Sequence, residues 1–309
     1  MAKVLVCDPM ADGPMDEMRK ISYLEVDYQP EVSAQQLPTA VKGKHAMVVR
    51  SRTKVTEPVI DAFDEMQVIV RGGVGVDNIK VDYAKSRGVE TRNTPAASSV
   101  SVAELAIGMM FALSRKIVPA THSMQEGKWE KKAFKGVELW QKTLGLLGLG
   151  RIACAVGLRA HGLGMKVIGF DPYVKAEDIK EFPVTAVTLD ELMSQADYIS
   201  LHTPHTEETH HLINADKLAM MKSSAFLIDC SRGGVLDDNA LAHALLEKKI
   251  AGAGLDVYES EPPEVDYFGE FRNVVLTPHI GAQTAEGQSR VGYEVVEILR
   301  DYFAATTGA

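Results

Sequence analysis

The sequence has 309 residues, of which 46% are hydrophobic, and a formal net charge of -9. This length predicts two domains of ordinary size, and the hydrophobic fraction excludes a largely disordered chain. Because the charge is acidic and the Lys and Arg residues are scattered, we expect no nucleic-acid partner.

The N-terminus begins with a strand-like run, "MAKVLVCDP", and lacks the hydrophobic leader of a secreted protein. The most apolar span, "VAELAIGMMFAL", contains an acidic residue and is too short to cross a bilayer. We therefore expect a cytoplasmic protein with no membrane partner. Cys7, Cys154 and Cys230 lie far apart without metal-ligand spacing, so we predict free thiols and no metal site.

Short apolar runs alternate with amphipathic stretches in the first third of the chain. The strand-like runs are "KVLVCD", "AMVVRS", "QVIVRGG" and "GVETRN". This alternation is typical of strands that helices join into a parallel sheet. A long helix is then predicted from about Ser99 to Ile117.

A second series of strand-like runs starts at Thr143. Its members are "TLGLLG", "KVIGFD", "DYISLH", "AFLIDC", "AGAGLDV" and "VVLTPH", and helical stretches separate them. These runs are enough for a complete dinucleotide-binding fold. We therefore predict an α/β protein with two doubly wound parallel sheets.

The segment after Pro278 contains a further helical stretch, "TAEGQSRVGYEVVEILRDYF". Because it follows a sheet that is already complete, we predict that it returns to the first unit. The second domain is then inserted in the first. The expected domains are residues 1–97 with 282–309, and residues 98–281.

The stretch "GLGRIA" has the spacing of a dinucleotide-binding loop, because Gly148, Gly150 and Ala153 form G-x-G-x-x-A between a strand and a helix. The amide groups at the start of that helix can bind a pyrophosphate, with Arg151 close by. Asp171 ends the next strand, where an acid accepts the ribose hydroxyls and repels a 2′-phosphate. This combination predicts NAD rather than NADP, and the alternative is a strand-to-helix turn without a ligand.

Several further runs resemble those of D-2-hydroxyacid dehydrogenases, most of all the phosphoglycerate dehydrogenase branch of that family. The runs are "RGGVGVDNI", "SVAEL", "GLGRI", "SRGGVLDDNAL", "GLDVYESEPP" and "TPHIGAQT", and the resemblance covers nearly the whole chain. It implies a Rossmann NAD-binding domain inserted in a flavodoxin-like substrate domain, with the active site in the cleft. It also implies a homodimer through the NAD-binding domain. Because the chain stops soon after its last helix, we expect a short form without the C-terminal regulatory domain.

The resemblance assigns the catalytic roles to three side chains. His279 matches the family's proton acceptor, and histidine has the side chain whose ordinary pKa lies nearest neutrality. Glu261 matches the carboxylate that pairs with this histidine. Arg232 matches the guanidinium that grips the substrate carboxylate and polarises the reacting oxygen.

The resemblance also assigns the binding residues. Those expected at NAD are Gly148, Gly150, Arg151, Ile152, Asp171, Cys230, Ser231, Arg232, Asp256, His279, Gly281 and Ala282. The backbone amides of Gly73 and Val74 are expected to hold the substrate carboxylate. Arg50 and Arg52 alternate around Ser51, so on a continuous strand they would share one face and could bind a phosphate. Solvated charge at a strand edge is the alternative for these arginines.

The expected reaction is the NAD-dependent oxidation of the C2 hydroxyl of a small anionic D-2-hydroxy acid. The favoured substrate is 3-phosphoglycerate, which gives 3-phosphohydroxypyruvate in the first step of serine biosynthesis. The alternatives are D-lactate or hydroxypyruvate/glyoxylate chemistry, and an NAD-sensing protein of the corepressor type without catalysis. Ala96, Ser98, Asp229 and Cys230 depart from the usual family pattern, which bears on the substrate rather than on the reaction type.

Overall fold

The computed structural model describes residues 1–175, 177, 179–263, 268–269 and 271–307. The chain divides into two compact units, one made of Met1–Ser98 with Ala282–Ala309 and the other of Ser99–Gly281. Among the described helices, none is both long enough and apolar enough to cross a membrane.

The secondary structure follows the α/β pattern throughout. The strands are β1 (Ala2–Val6), β2 (Leu24–Tyr28), β3 (Ala46–Val49), β4 (Val68–Arg71), β5 (Glu90–Asn93), β6 (Thr143–Leu147), β7 (Lys166–Phe170), β8 (Thr185–Ala186), β9 (Tyr198–Leu201), β10 (Phe226–Asp229), β11 (Gly252–Leu255) and β12 (Val274–Leu276). The helices are α1 (Asp12–Lys20), α2 (Leu37–Ala40), α3 (Glu57–Asp61), α4 (Val81–Ser86), α5 (Ser99–Ser114), α6 (Ile117–Gln125), α7 (Arg151–Gly162), α8 (Leu189–Gln195), α9 (Ala215–Met220), α10 (Asp238–Leu246) and α11 (Ala285–Thr307).

The first unit contains a five-stranded parallel sheet in the order β2-β1-β3-β4-β5. This order is flavodoxin-like, and the predicted fold class is confirmed. Strand β2 had no counterpart among the predicted strands, because its sequence, "LEVDY", carries two acids and lies at the sheet edge. Both faces of the sheet are covered by apolar clusters, as a parallel sheet requires.

The long C-terminal helix, α11, packs within the first unit. Its buried side chains belong to the same apolar cluster as strands β1, β3 and β4, and they are Val295, Val296, Leu299 and Phe303. The last helix of the sequence therefore completes one face of the first sheet.

The second unit contains a seven-stranded parallel sheet in the order β12-β11-β10-β9-β6-β7-β8. The order is that of a Rossmann fold extended by β12, and it reverses between β6 and β9, where such folds bind their ligands. No strand-like run in the sequence predicted β8, because this strand has only two residues, both paired with β7.

The first helix of the second unit is shorter than predicted. Helix α5 ends at Ser114, and a separate helix, α6, begins at Ile117. The break lies at Lys116, whose φ of 53° is left-handed and cannot continue a right-handed helix. Helix α5 is apolar around most of its circumference and packs on α7, β10 and β11.

Candidate active site

The glycine loop between β6 and α7 shows why each position takes a small residue. Gly148 has a φ of 86°, and a Cβ there would lie 2.9 Å from the carbonyl oxygen of His202. Gly150 precedes the first turn of α7, and a Cβ there would meet nothing within 4 Å. Ala153 is fully buried where the helix meets the sheet. The open space at Gly150 leaves the helix N-terminus accessible to an anion.

Asp171 follows β7 and is held beside the glycine loop. Its Oδ2 accepts the N–H of Leu149 at 2.9 Å, and its Oδ1 accepts the N–H of Tyr173 at 2.9 Å. Of the other two residues expected here, Arg151 is exposed and Ile152 is half-buried in the first turn of α7. The carboxylate, the glycines and the helix start therefore form one local group.

Thr203 was missed by the sequence reasoning. It follows β9 at the point where the strand order reverses, and its methyl group would lie 3.0 Å from a Cβ on Gly148. Its hydroxyl Oγ1 is buried and has no hydrogen-bond partner among the described residues. Buried hydroxyls are nearly always bonded, so this one points to a ligand at the glycine loop. The signal in the sequence was a polar residue directly after the strand-like run "DYISLH".

His279 and Glu261 are in contact. The Nδ1 of His279 lies 2.7 Å from the Oε2 of Glu261, and both side chains are partly exposed. His279 has a φ of 52°, which is rare for a non-glycine residue and is often found at functional sites.

Asp256 holds the segment that carries His279. This buried carboxylate accepts the hydroxyl of Thr277 at 2.6 Å and the N–H of Ile280 at 2.7 Å through Oδ1. Its Oδ2 accepts the N–H of Gly281 at 2.8 Å. The resemblance assigned Asp256 to the cofactor, and in the structure its oxygens accept these three bonds from the segment that carries His279. Ala282 follows directly and is half-buried.

Arg232 follows β10 on a turn that Asp229 shapes. Oδ1 of Asp229 accepts both the N–H of Ser231 at 2.9 Å and its hydroxyl at 2.6 Å. The guanidinium of Arg232 donates from Nη1 to the carbonyl of Ser231 at 2.7 Å. Cys230 is buried, and burial raises the pKa of its thiol, which therefore stays neutral.

Asp229 is a buried acid with two acidic neighbours. Burial, with a smaller contribution from the charges of Asp238 and Asp256, raises its pKa to about 7, although bonds from Ser231 oppose the shift. Asp229 is one of the residues that depart from the usual family pattern. It therefore places a titratable carboxyl beside the turn that carries Arg232.

The arginines at the end of β3 do not lie on a continuous strand. Strand β3 ends at Val49, and residues 50–52 follow outside it. The predicted alternation around the exposed Ser51 was therefore wrong. Arg52 donates from Nε to Asp8 at 2.9 Å and from Nη2 to the carbonyl of Cys7 at 2.6 Å. Arg50 is half-buried, and its Nε is buried without a hydrogen-bond partner among the described residues.

Gly73 and Val74 follow β4, and Gly73 lies against the guanidinium of Arg71. Gly73 has a φ of 142°, and a Cβ there would lie 1.5 Å from Nη1 of Arg71. Arg50 approaches the same turn, since its Cγ would lie 3.4 Å from a Cβ on Gly72. The sequence reasoning missed Arg71, although this residue begins the quoted run "RGGVGVDNI".

Known proteins resemble this chain over most of its length. Residues 107–281 match the family model of the "D-isomer specific 2-hydroxyacid dehydrogenase, NAD binding domain". The D-3-phosphoglycerate dehydrogenase of Methanocaldococcus jannaschii is 43% identical over 97% of this chain and 57% of its own length. The hydroxypyruvate reductase of Thermotoga maritima is 45% identical over 96% of both chains.

Among solved structures, a D-lactate dehydrogenase from Aquifex aeolicus, complexed with NAD and lactic acid, superimposes with a TM-score of 0.84 at 31% identity. The alignment covers 99% of this chain and 96% of that chain. The chain spans little more than half the length of two phosphoglycerate dehydrogenase relatives, 57% and 54%.

The chain belongs to the D-isomer specific 2-hydroxyacid dehydrogenase family, and its second unit contains the NAD-binding domain of that family. Its cofactor is NAD, and the open glycine loop, the fixed Asp171 and the unbonded Thr203 hydroxyl all fit that group.

Proposed function

We propose that the chain oxidises the C2 hydroxyl of a D-2-hydroxy acid with NAD, and that 3-phosphoglycerate is its preferred substrate. The observation that carries the proposal is the contact of 2.7 Å between His279 and Glu261 in a chain with an NAD-binding domain. NAD, when bound, would supply the hydride acceptor, so the chain's own residues must bind the substrate anion and remove the hydroxyl proton.

The second unit is proposed as the cofactor domain. The N–H groups at the start of α7 would bind the pyrophosphate, Asp171 the ribose hydroxyls and Thr203 a further polar group of the cofactor. The Cys230–Arg232 turn and the His279–Ala282 segment are proposed to line the nicotinamide end.

His279 is the proposed proton acceptor. Its Nδ1 is engaged by Glu261, so a neutral ring with the proton on Nδ1 keeps Nε2 free to accept the proton of the hydroxyl. Glu261 then stabilises the resulting imidazolium. We assign Arg232 to the substrate carboxylate and the reacting oxygen, because a guanidinium binds a carboxylate with two parallel bonds.

The first unit is proposed as the substrate domain. Gly73 and Val74 would bind the substrate carboxylate through their N–H groups, as expected from the sequence. We propose Arg50 and Arg71 as the phosphate site, because both approach the Gly72–Gly73 turn. Arg52 is tied to Asp8, so we assign it to holding the end of β3.

A substrate panel tests the proposal. We expect NADH formation with 3-phosphoglycerate at a higher kcat/KM than with D-lactate, D-glycerate or glycolate. A preference for an unphosphorylated acid would replace the proposed substrate with the hydroxypyruvate, glyoxylate or lactate alternative. NAD binding without NADH formation from any acid would favour an NAD-sensing protein.

Variants of the proposed phosphate site refine this test. Arg50→Ala should raise the KM for 3-phosphoglycerate, by about tenfold for each 1.4 kcal/mol lost, with little effect on unphosphorylated acids. Arg52→Ala is the matched control, because it should lower stability more than it changes substrate preference. Equal effects of Arg50→Ala on all substrates would contradict the phosphate site.

We propose in addition that the chain is a homodimer through the NAD-binding unit. Four large apolar side chains on α6 or just after it are each exposed, namely Ile117, Val118, Met124 and Trp129, and exposed apolar surface is typical of interfaces. Light scattering after gel filtration should give twice the mass of one chain, and Ile117→Asp combined with Met124→Asp should halve it.

A further inference from the structure

Two segments that carry proposed catalytic residues are packed directly on each other. Residues 231–238 include Arg232, and residues 256–261 include Glu261. At their meeting point a Cβ on Gly233 would lie 1.7 Å from the carbonyl oxygen of Tyr258. This approach is closer than any side chain permits, so the two backbones are in contact there.

A reciprocal pair of hydrogen bonds joins the same two segments. The N–H of Glu259 donates to Oδ2 of Asp238 at 3.2 Å, and the N–H of Asp238 donates to Oε1 of Glu259 at 3.3 Å. Asp238 is 6% exposed, whereas Glu259 is exposed, so the pair joins a buried carboxylate to a residue at the surface. Each residue thus satisfies the other's backbone, as in a helix capping box, but between segments distant in sequence.

His211 adds a third connection from another segment. Its Nε2 lies 2.7 Å from Oε1 of Glu259, and its Nδ1 lies 3.9 Å from Oδ2 of Asp237. Its own N–H donates to the carbonyl of Gly234 at 2.7 Å. The imidazole therefore lies between the two carboxylates, one on each segment.

We propose that His211, Asp238 and Glu259 form a clamp of positioning residues that fixes the Glu261 segment against the Arg232 segment. Glu261 lies two residues from Glu259, so a loosened segment would misplace the carboxylate that orients His279. This role rests on the proposed function, because it matters only if Glu261 and Arg232 take part in the reaction.

Several charged groups surround Asp238. Burial raises the pKa of Asp238 to about 6, although the backbone bond from Glu259 opposes the shift; the charges of Glu259 and Asp237 add to it, while that of His211 opposes it. The buried Asp229 is a further acid nearby. The carboxylate is the form that accepts the bond from Glu259, so the variants are compared at pH 8.

The test compares Asp238→Ala with Asp238→Asn at pH 8. Asp238→Ala removes the acceptor and should lower kcat about tenfold with the KM for NAD within about twofold, because the cofactor loop is untouched. Asp238→Asn retains an acceptor oxygen and should recover most of kcat. Glu259→Ala removes the other side-chain acceptor of the pair, together with the contact to His211, and should also lower kcat. The double variant should lose less than the product of the two single effects, since both bonds join the same two segments. Asp216→Ala, in the exposed first turn of α9, is the matched control.

Amide hydrogen exchange gives a readout that does not depend on activity. Residues 256–261 should exchange faster in Asp238→Ala and Glu259→Ala than in the wild type, while β10 and β11 keep their protection. Unchanged exchange in that segment would overturn the clamp, even if kcat falls. Faster exchange in a protein without dehydrogenase activity would leave the clamp in place and refute the proposed function.

Divalent metal is the remaining control, because His211, Asp237 and Glu259 each place one ligand atom within 4.8 Å of the others. All assays are therefore run in EDTA and again with added Zn²⁺. A defect of the variants that persists in EDTA supports the hydrogen-bonded clamp. A defect that appears only with Zn²⁺ would overturn it in favour of a metal site.

Discussion

At the scale of single residues, the two ring nitrogens of His279 have different roles. Nδ1 is engaged by Glu261, while the left-handed backbone and the bonds from Asp256 to Ile280 and Gly281 fix the ring's point of attachment. The proposed reactive nitrogen, Nε2, is therefore positioned through the bonds that Glu261 and Asp256 make to the ring and to its backbone segment.

The first prediction concerns this pair. His279→Ala should lower kcat by about 10²–10⁴-fold, because it removes the proton acceptor, while NAD affinity changes little. Glu261→Gln should lower kcat less, since the ring keeps a hydrogen-bond partner but the imidazolium loses its counter-charge. Steady-state kinetics at pH 8 measure both effects, and an unchanged kcat in Glu261→Gln would argue against the pairing.

A second prediction concerns the buried Asp229. Burial raises its pKa to about 7, so between the ordinary carboxyl range and pH 7 the folded protein keeps a proton that the unfolded chain has lost. Stability should therefore fall as the pH rises through this range. Asp229→Asn keeps the acceptor for Ser231 without a charge and should stabilise the protein at pH 8, by at most about 4 kcal/mol, and by clearly less at pH 5.

Urea unfolding at both pH values measures this difference, with Asp216→Asn as an exposed control. Equal stability changes at pH 5 and pH 8 would show that Asp229 does not titrate in this range.

At the scale of elements, the loop between β6 and α7 contains two glycines that are needed for different reasons. The fold requires glycine at position 148, because φ there is positive and the carbonyl of His202 leaves too little room for a side chain. Gly150 has free space around it, so we attribute the need for glycine there to the cofactor proposed to approach it. The same residue type thus serves folding at one position and binding at the other.

The third prediction compares alanine at these two positions. Gly148→Ala should cost about 1–3 kcal/mol of unfolding free energy, because the left-handed conformation and the carbonyl both oppose a side chain. Gly150→Ala should leave stability within about 0.5 kcal/mol but weaken NAD binding. Unfolding curves and NAD titration by calorimetry measure the two effects. A destabilised Gly150→Ala with normal NAD affinity would reverse the assignment.

At the scale of the whole molecule, each unit has its own sheet and its own apolar clusters on both faces. The second unit is continuous in sequence, whereas the first depends on α11, which comes from the other end of the chain. Val295, Leu299 and Phe303 complete one face of the first sheet.

The fourth prediction follows from this connectivity. A fragment of residues 99–281 should fold cooperatively and bind NAD, because its core is complete. A fragment of residues 1–98 should not fold alone, since one face of its sheet lacks α11, but it should gain structure when residues 282–309 are supplied as a peptide. Circular dichroism and calorimetry measure both outcomes, and a stably folded 1–98 fragment would show that α11 is dispensable.

The sequence by itself determined the features that depend on residues close together along the chain. Apolar runs predicted most strands, and the spacing of Gly148, Gly150 and Ala153 predicted the strand–turn–helix, because these demands act within a few residues. The edge strand β2 and the two-residue β8 escaped prediction, since pairing with neighbouring strands rather than composition makes them strands.

Only the tertiary structure decided which polar groups hold one another. Asp8 accepts a hydrogen bond from Arg52, Asp238 accepts one from Glu259, and Asp256 accepts one from Ile280 beside His279. In each case the two partners are too far apart in the sequence for a local pattern to predict the contact. The physical reason is burial: a carboxylate removed from water must find hydrogen-bond donors wherever the folded chain places them.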